Sequence, residues 1–424
     1  MVRAARIASL VVGGLIMAVV VLGACTRPIP PELGGPLPGL TPEQLADFEG
    51  GREVFETVFT PETGLGPLFN ANSCAECHED PLTGGTGDEV ELHAAIPVVD
   101  RIIELSGARS GQPAGVPTAT GETSDLYEDT PPASGACDLL ADRGGPVFQL
   151  EATPALQAAL GIEREPVPPE ASTAQRTTPD VFGFGLLDAI PDSTLLALAD
   201  PDDADGDGIS GRVNRFFDGR IGRFGRKAFV PSLAEFNEGA FQIEQGITTP
   251  QGLDEGTVGG QPIPEGVDPV AEPELDGESV RRADAFVRFL APPAPEPRTR
   301  QSKRGARVFE KINCAACHVP TLRTGPNEVK ALAHRKVNAY TDMLLHDMGA
   351  ELADICFGLA APSEFRTEPL MGLRLSTSFL HDGRAKTIEE AILLHDGEAA
   401  ASRRAFEALP AADREALLEF LRKL

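Results

Sequence analysis

A chain of 424 residues has room for two or three domains with buried cores, and a hydrophobic fraction of 42% excludes a largely disordered one. Its 64 acidic against 37 basic side chains give a formal net charge of −27, which excludes nucleic-acid binding and argues equally against electrostatic docking on an anionic membrane. With 44 Gly, 37 Pro, 21 Phe, 2 Tyr and no Trp, the composition predicts a mainly α fold of short helices joined by long ordered loops, which needs something besides an apolar core to organise it.

Arg3 and Arg6 precede an apolar run from Ile7 to Leu22, too short for a bilayer span. A basic start, a short apolar stretch and small residues before a cleavage point describe a secretory signal. The stretch ends Leu22-Gly23-Ala24-Cys25, a sequence similar to a bacterial lipobox, in which Cys25 is lipidated and becomes the mature N-terminus. The alternative is ordinary cleavage with Cys25 incidental. Residues 26–40 are rich in Pro and Gly and read as a tether. The mature protein is therefore expected lipid-anchored on the periplasmic side of a bacterial envelope, in an oxidising compartment.

Thr41-Pro-Glu-Gln44 reads as a capping box with Pro at the first helical position. Leu45, Phe48, Phe55 and Phe59 follow at near-helical spacing, and a Gly-rich loop, Gly64–Phe69, leads to Cys74-Ala-Glu-Cys77-His78. Residues 84–180 show little periodicity and read as loops. Asp203, Asp205 and Asp207, with Gly208 in the sharp-turn position, match the first half of a calcium loop, and the Ile209 carbonyl would be the next ligand. Asn214 stands where an EF-hand has Glu, so this is no EF-hand, and a solvated acidic turn is the other reading. Ala283, Phe286, Val287 and Leu290 share a helical face over about 278–290, and Pro292–Arg300 reads as a connector. A helix over Arg304–Ile312 enters Cys314-Ala-Ala-Cys317-His318. Thr387 and Glu390 form a second capping box, followed by Ile388, Ala391, Ile392 and His395 on one face, and Ala411–Leu424 closes the chain as an amphipathic helix.

The two CxxCH frames are the attachment signature of c-type haem: two thiols reach the vinyl groups of one porphyrin and the next His lies under the iron. Zinc would want four ligands in one place, whereas these frames stand 240 positions apart, and a redox dithiol does not need the His. Two covalent haems are therefore expected, bound by Cys74, Cys77 and His78 in an N-terminal domain (41–291, with large loop insertions) and by Cys314, Cys317 and His318 in a C-terminal domain (292–424). A helix before CxxCH and a closing helix are the outline of a cytochrome c domain, so the expected architecture is two cytochrome c-like haem domains. Cys137 and Cys356 are left to form a disulfide or to stand as a free thiol near a haem.

These motifs, together with Gly64-Leu-Gly-Pro-Leu-Phe-Asn70, Gly222-Arg-Phe-Gly-Arg-Lys-Ala228, Leu345-His-Asp-Met-Gly349, Phe365-Arg-Thr-Glu-Pro-Leu370 and the block from Phe379-Leu-His-Asp-Gly-Arg384 to Ile392, make the chain resemble the bacterial di-haem cytochrome c peroxidase superfamily, and within it the branch called di-haem or "thiol" oxidoreductases. The resemblance implies two haems with divided labour. The C-terminal haem takes electrons from a donor, the N-terminal haem reduces peroxide at an open or openable iron position, and a calcium ion sits between the domains. By the same resemblance His395, 14 positions after His381, stands where relatives place an axial ligand of the C-terminal haem. A core His is the other reading, with Met348 and His346 as further ligand candidates. His381 is implied to act beside the C-terminal haem. Arg366, Arg374 and Arg384 are propionate or surface arginines, and His93 is a distal ligand of the N-terminal haem or a surface His. Relatives route electrons through a Trp between the haems. This chain has none, and Phe224 is the aromatic in the corresponding motif.

The expected activity is that of an exported di-haem oxidoreductase reducing hydrogen peroxide or a related small oxidant at the His78 haem, with electrons relayed through the His318 haem. The alternative is a non-catalytic electron-transfer lipoprotein, or an accessory to metal uptake; thiol oxidation rests on the branch name. A chain of this net charge predicts a basic electron donor.

Overall fold

Thr41 opens the first helix because its hydroxyl accepts from Gln44 N while the Gln44 side chain accepts from Thr41 N at 3.0 Å. The computed structural model describes residues 31–97, 137–140, 143, 145–253 and 256–424. The export signal, the Cys25 lipobox and the first part of the tether lie outside the described residues. Eleven α-helices carry most of the described regular structure, and Pro31–Leu424 make one compact unit. The helices are α1 (Pro42–Phe55), α2 (Cys74–Cys77), α3 (Pro154–Leu160), α4 (Phe184–Asp188), α5 (Asp192–Leu198), α6 (Leu233–Gln245), α7 (Gly277–Phe289), α8 (Arg300–Lys311), α9 (Ile388–Leu394), α10 (Ala400–Glu407) and α11 (Ala411–Leu421).

Two helix crossings position the attachment frames. Helix α1 precedes the first frame and crosses α7, and Gly51 makes the contact: a Cβ there would lie 1.9 Å from the Arg282 carbonyl oxygen. Helix α8 precedes the second frame and crosses α11 in the same way, with Gly305 against the Ala416 carbonyl. Phe48 and Phe55 of α1 bury against Phe286 of α7, with ring centroids 5.2 and 5.0 Å from it. Burying each such ring is worth on the order of 2 kcal/mol. Phe59 does not belong to α1, which stops at Phe55; it is buried in the loop beyond, and Leu45 is exposed. The core does not stop at Pro292. The largest apolar cluster joins Phe48, Phe286 and Leu290 to Leu322, Leu344 and Met371, while Phe309, Phe406, Phe420 and Leu421 form a second cluster behind the second frame.

Residues 84–180 are not all loop. Strand β1 (Val90–Pro97) pairs antiparallel with β2 (Cys137–Asp138), with β3 (Val147–Phe148) and, through six residue pairs, with β4 (Ser172–Thr177). The Ser and Thr content of β4 hides it from a periodicity reading; partners some 80 positions distant supply its ladder. Cys137 and Cys356 form a disulfide with Cα atoms 5.7 Å apart, tying this sheet to the C-terminal half.

Candidate functional site

Asn313 takes a left-handed turn (φ 64°) after α8 and swings Cys314 to Cys317 into a short 3-10 turn. Cys314 and Cys317 are not bonded to each other, and burial pushes the Cys314 thiol up to about 12. His318 Nδ1 donates to the Tyr340 carbonyl oxygen at 3.0 Å, so Nε2 is the free nitrogen. His395 caps the C-terminus of α9, and its Nδ1 donates to the Ala391 carbonyl oxygen at 2.7 Å, again freeing Nε2. The two ring centroids lie 6.5 Å apart, with the ring planes inclined at 46°. A metal–imidazole bond is about 2 Å, so two imidazoles trans across one iron have centroids about 6.3 Å apart. Burial pulls both imidazoles below the ordinary value, His318 to about 4, so both are neutral and fit to ligate.

These groups open onto a cavity of about 260 Å³ whose walls include Phe309, Phe365, Leu370, Phe379, Ile392 and Leu417. Arg226, Arg366 and Arg403 also line it, and the Nε of each is buried without a partner. An apolar slot with two free thiols, two opposed imidazoles and three unspent guanidinium donors fits a haem with its propionates. Arg384 is elsewhere: it is exposed, bonded to Asp382 and to the Glu351 carbonyl. Arg374 donates to the Ala294 carbonyl. His381 lines the cavity, stacked on Phe365 at 4.2 Å, and burial pulls it down to about 4. Beneath that wall Lys227, itself fully buried, pairs with Asp354 at 2.8 Å and sits 3.6 Å over the Phe365 ring. Arg176 pairs with the same Asp354.

His346 is not available as a ligand. Its Nε2 lies 2.8 Å from Asp342 and its Nδ1 2.7 Å from Glu398. Glu398 already accepts from Ser210 N, Ser210 Oγ and Asp347 N, so it is a carboxylate and His346 donates to it. Burial opposes the charge, but Asp342, the Cys317 sulfur and Glu398 together push His346 up to about 12. The imidazolium therefore stabilises the fold fully below the unfolded pKa of about 6.5, and that stabilisation is lost as pH rises toward the folded value. Thermal unfolding should show His346→Gln as destabilised at pH 6, with the gap from the unsubstituted protein narrowing steadily toward pH 10; a constant gap would refute the charged state.

At the first frame, Ser73 caps α2 by accepting from Glu76 N. His78 Nδ1 donates to the Gly85 carbonyl at 3.1 Å, and among the described residues its ring contact is Phe55 at 5.8 Å. Cys74 and Cys77 are also unbonded to each other. Gln245 Nε2 donates to Cys74 Sγ at 3.2 Å, while Gln245 Oε1 and Glu89 Oε2 are buried without partners. These unspent polar atoms beside two free thiols fit a second haem. Glu244, Glu89 and Glu91 all bear electrostatically on Cys77. Burial and repulsion from Glu91 hold the Glu244 carboxyl well above the usual range, while Asn70 Nδ2 donates to its Oε2 at 2.8 Å. Burial raises Glu91, but its hydrogen bond to His93 at 2.8 Å together with the charges of His93, Arg176 and His78 leaves it below the ordinary carboxylate value. His93 is buried and engages Glu91 through Nε2, while its Nδ1 is buried without a partner.

Asp203, Asp205 and Asp207 bring one carboxylate oxygen each to within 4.8 Å of one another, while Asn214 is buried and bonded to the Lys227 and Phe357 carbonyls, away from that role. Phe224 is fully buried between Phe184 and Phe236. Tyr340, Glu244, Arg226, Arg403 and the Asp342–His346–Glu398 triad escaped the sequence reading. Tyr340 works through its carbonyl, Glu244 meets Asn70 from 174 positions away and Glu398 meets His346 from 52, so none of these contacts leaves a short spacing to find.

A family model described as "Di-haem oxidoreductase, putative peroxidase" matches residues 170–424. Comparison with curated proteins finds no match. Among solved structures, the chain is similar to the di-haem peroxidase BthA of Burkholderia thailandensis, at 15% identity over 89% of this chain and 86% of that one, with a TM-score of 0.38. It is similar to a MauG-like protein associated with microbial copper homeostasis, at 16% identity over 57% and 89%, with a TM-score of 0.31. It is also similar to hydrazine synthase of Kuenenia stuttgartiensis, at 15% identity over 59% and 73%, with a TM-score of 0.33.

Proposed function

We propose, from the premise that this chain belongs to the di-haem oxidoreductase family, that it reduces hydrogen peroxide or a related small oxidant at the His78 haem with electrons relayed from the His318 haem. The opposed His318 and His395 rings carry this reading. A haem there would be held by both His318 and His395 and would pass electrons without binding an oxidant, whereas His78 meets no second imidazole among the described residues. The attachment is covalent in this reading, through Cys74 and Cys77 and through Cys314 and Cys317. The repeated helix–glycine–helix crossing before each frame supports two cytochrome c-like halves.

Haem, when bound, supplies the one-electron chemistry and the iron position for the oxidant. The protein supplies protons and charge. Reducing peroxide to two waters consumes two electrons and two protons, so a proton donor must stand at the N-terminal site. Glu244 is that donor: Asn70 donates to its Oε2, and burial with repulsion from Glu91 raises its pKa and so favours the protonated acid. Glu91, ionised against His93, holds negative charge beside it. At the C-terminal site the unpaired Nε groups of Arg226, Arg366 and Arg403 would hold the propionates. Asp203, Asp205 and Asp207 hold a calcium ion, which offsets the repulsion of three close carboxylates. Export and the lipid anchor rest on the N-terminal signal and Cys25.

Stopped-flow mixing of the half-reduced protein with peroxide tests the function. The expected result is a high-spin ferric N-terminal haem before mixing and oxidation of the C-terminal haem by peroxide. Two low-spin haems, both inert to peroxide, would instead make the chain an electron carrier.

A further inference from the structure

Over residues 298–336 the charge of this acidic protein inverts: ten Lys and Arg stand against two Glu, a surplus of eight in a chain of net charge −27. All ten cations are exposed, and among them only Arg304 has an ion-pair partner, Asp413, among the described residues. Arg300, Lys303, Arg304, Arg307 and Lys311 run along α8 at spacings of three and four, which places like charges side by side on its outer surface. Arg300 and Lys303 also occupy the first turn, where the helix dipole disfavours cations. Strand β5 (Leu322–Arg323) pairs antiparallel with β6 (Lys336–Val337), and the register sets Arg323 directly opposite Lys336. Like charges facing across a ladder are destabilising. The fold thus accepts repulsion three times over on one stretch of chain, and an anionic partner would relieve all of it.

Part of the stretch borders a cleft beside the C-terminal redox centre. A cleft of about 560 Å³ is rimmed by Arg298, Arg335 and Lys336 and floored by Phe309 and Tyr340. Tyr340 is the residue whose carbonyl holds His318 Nδ1, and the Phe309 ring lies 6.4 Å from the His318 ring. We propose that this basic face, formed by α8 and the β5–β6 ladder, docks an acidic electron-transfer protein that delivers electrons through the Tyr340 and His318 side of the C-terminal haem. The chain-wide charge predicts a basic donor; its distribution reverses that prediction at the point of entry. An anionic lipid surface is the weaker occupant, because a bilayer would repel the rest of the chain and has no use for a path to His318.

The proposal rests on electron entry at the C-terminal haem, and the test separates the two claims by reading binding and reduction independently. The full-length holoprotein is mixed with reduced cytochrome b5 as acidic probe, reduced mitochondrial cytochrome c as basic probe, and phosphatidylglycerol vesicles. Calorimetry reports binding, and stopped-flow spectra report which haem is reduced. Cytochrome b5 should bind and reduce the C-terminal haem fastest at low salt, and the Lys303→Glu, Arg307→Glu, Lys311→Glu variant should cut that rate by about tenfold with unchanged haem spectra. A rate changed by less than about twofold, a faster reaction with cytochrome c, or a variant that loses only vesicle binding overturns the proposal. Patch-dependent binding with electrons arriving first at the N-terminal haem supports the docking face and overturns the entry route.

Discussion

Replacing His395 by Ala should change the C-terminal haem from six-coordinate and low-spin to a form with an open iron position. The argument is geometric. His318 and His395 each spend Nδ1 on a carbonyl oxygen, Tyr340 and Ala391, so their Nε2 atoms alone are left, and the rings stand 6.5 Å apart. His395→Met should restore six-coordination and raise the reduction potential, because a thioether favours the ferrous ion more than an imidazole does. Absorption and electron paramagnetic resonance spectra of the two variants check this. Met348 lines the same cavity and is the competing ligand. A His395→Ala spectrum that remains low-spin with a methionine–iron charge-transfer band would give the position to Met348. The fold should survive either change, since the helix before His395 is held by its own Thr387–Glu390 capping box.

The second large effect is expected at Glu244. Glu244→Gln keeps the shape of the side chain and its place beside Asn70 but removes the proton, and the rate of peroxide reduction should fall by about 10² to 10⁴. Spectra and midpoint potentials of both haems should hardly move. In the unsubstituted protein the working form is the protonated one, so the rate should be flat below the raised pKa of Glu244 and decline as pH rises through it. The Gln variant should lose that decline along with its rate. Glu91→Gln offers a control: it removes the charge that helps raise Glu244, so the decline should move to lower pH rather than vanish. A Glu244→Gln protein that retains full rate would transfer the proton role to another group.

Part of this was legible from the chain. Thr41 with Gln44 and Thr387 with Glu390 form capping boxes as their spacing predicts, because a cap is a contract among four consecutive residues. The strand pairing of Ser172–Thr177 with Val90–Pro97 was not legible, since its composition reads as loop and its ladder partners are distant. Arg384 shows the limit of motif reading. It sits in the block most similar to the family, yet its guanidinium turns to Asp382 and Glu351, while Arg226 and Arg403, from separate segments, face the cavity. The basic stretch around α8 was present in the sequence but averaged away by a whole-chain charge of −27.

What the sequence determined by itself is whatever short spacing encodes: two CxxCH frames, the helices that lead into them, the acidic loop and the family. Tertiary structure decided what those parts do together. It set His395 against His318, enclosed His346 between Asp342 and Glu398, raised Glu244 beside Glu91, and joined Cys137 to Cys356 across 219 positions. The reason is physical. Ligation geometry, shared protons and shifted pKa values depend on distances of a few ångströms between groups remote in the chain, and only the packed core fixes those distances.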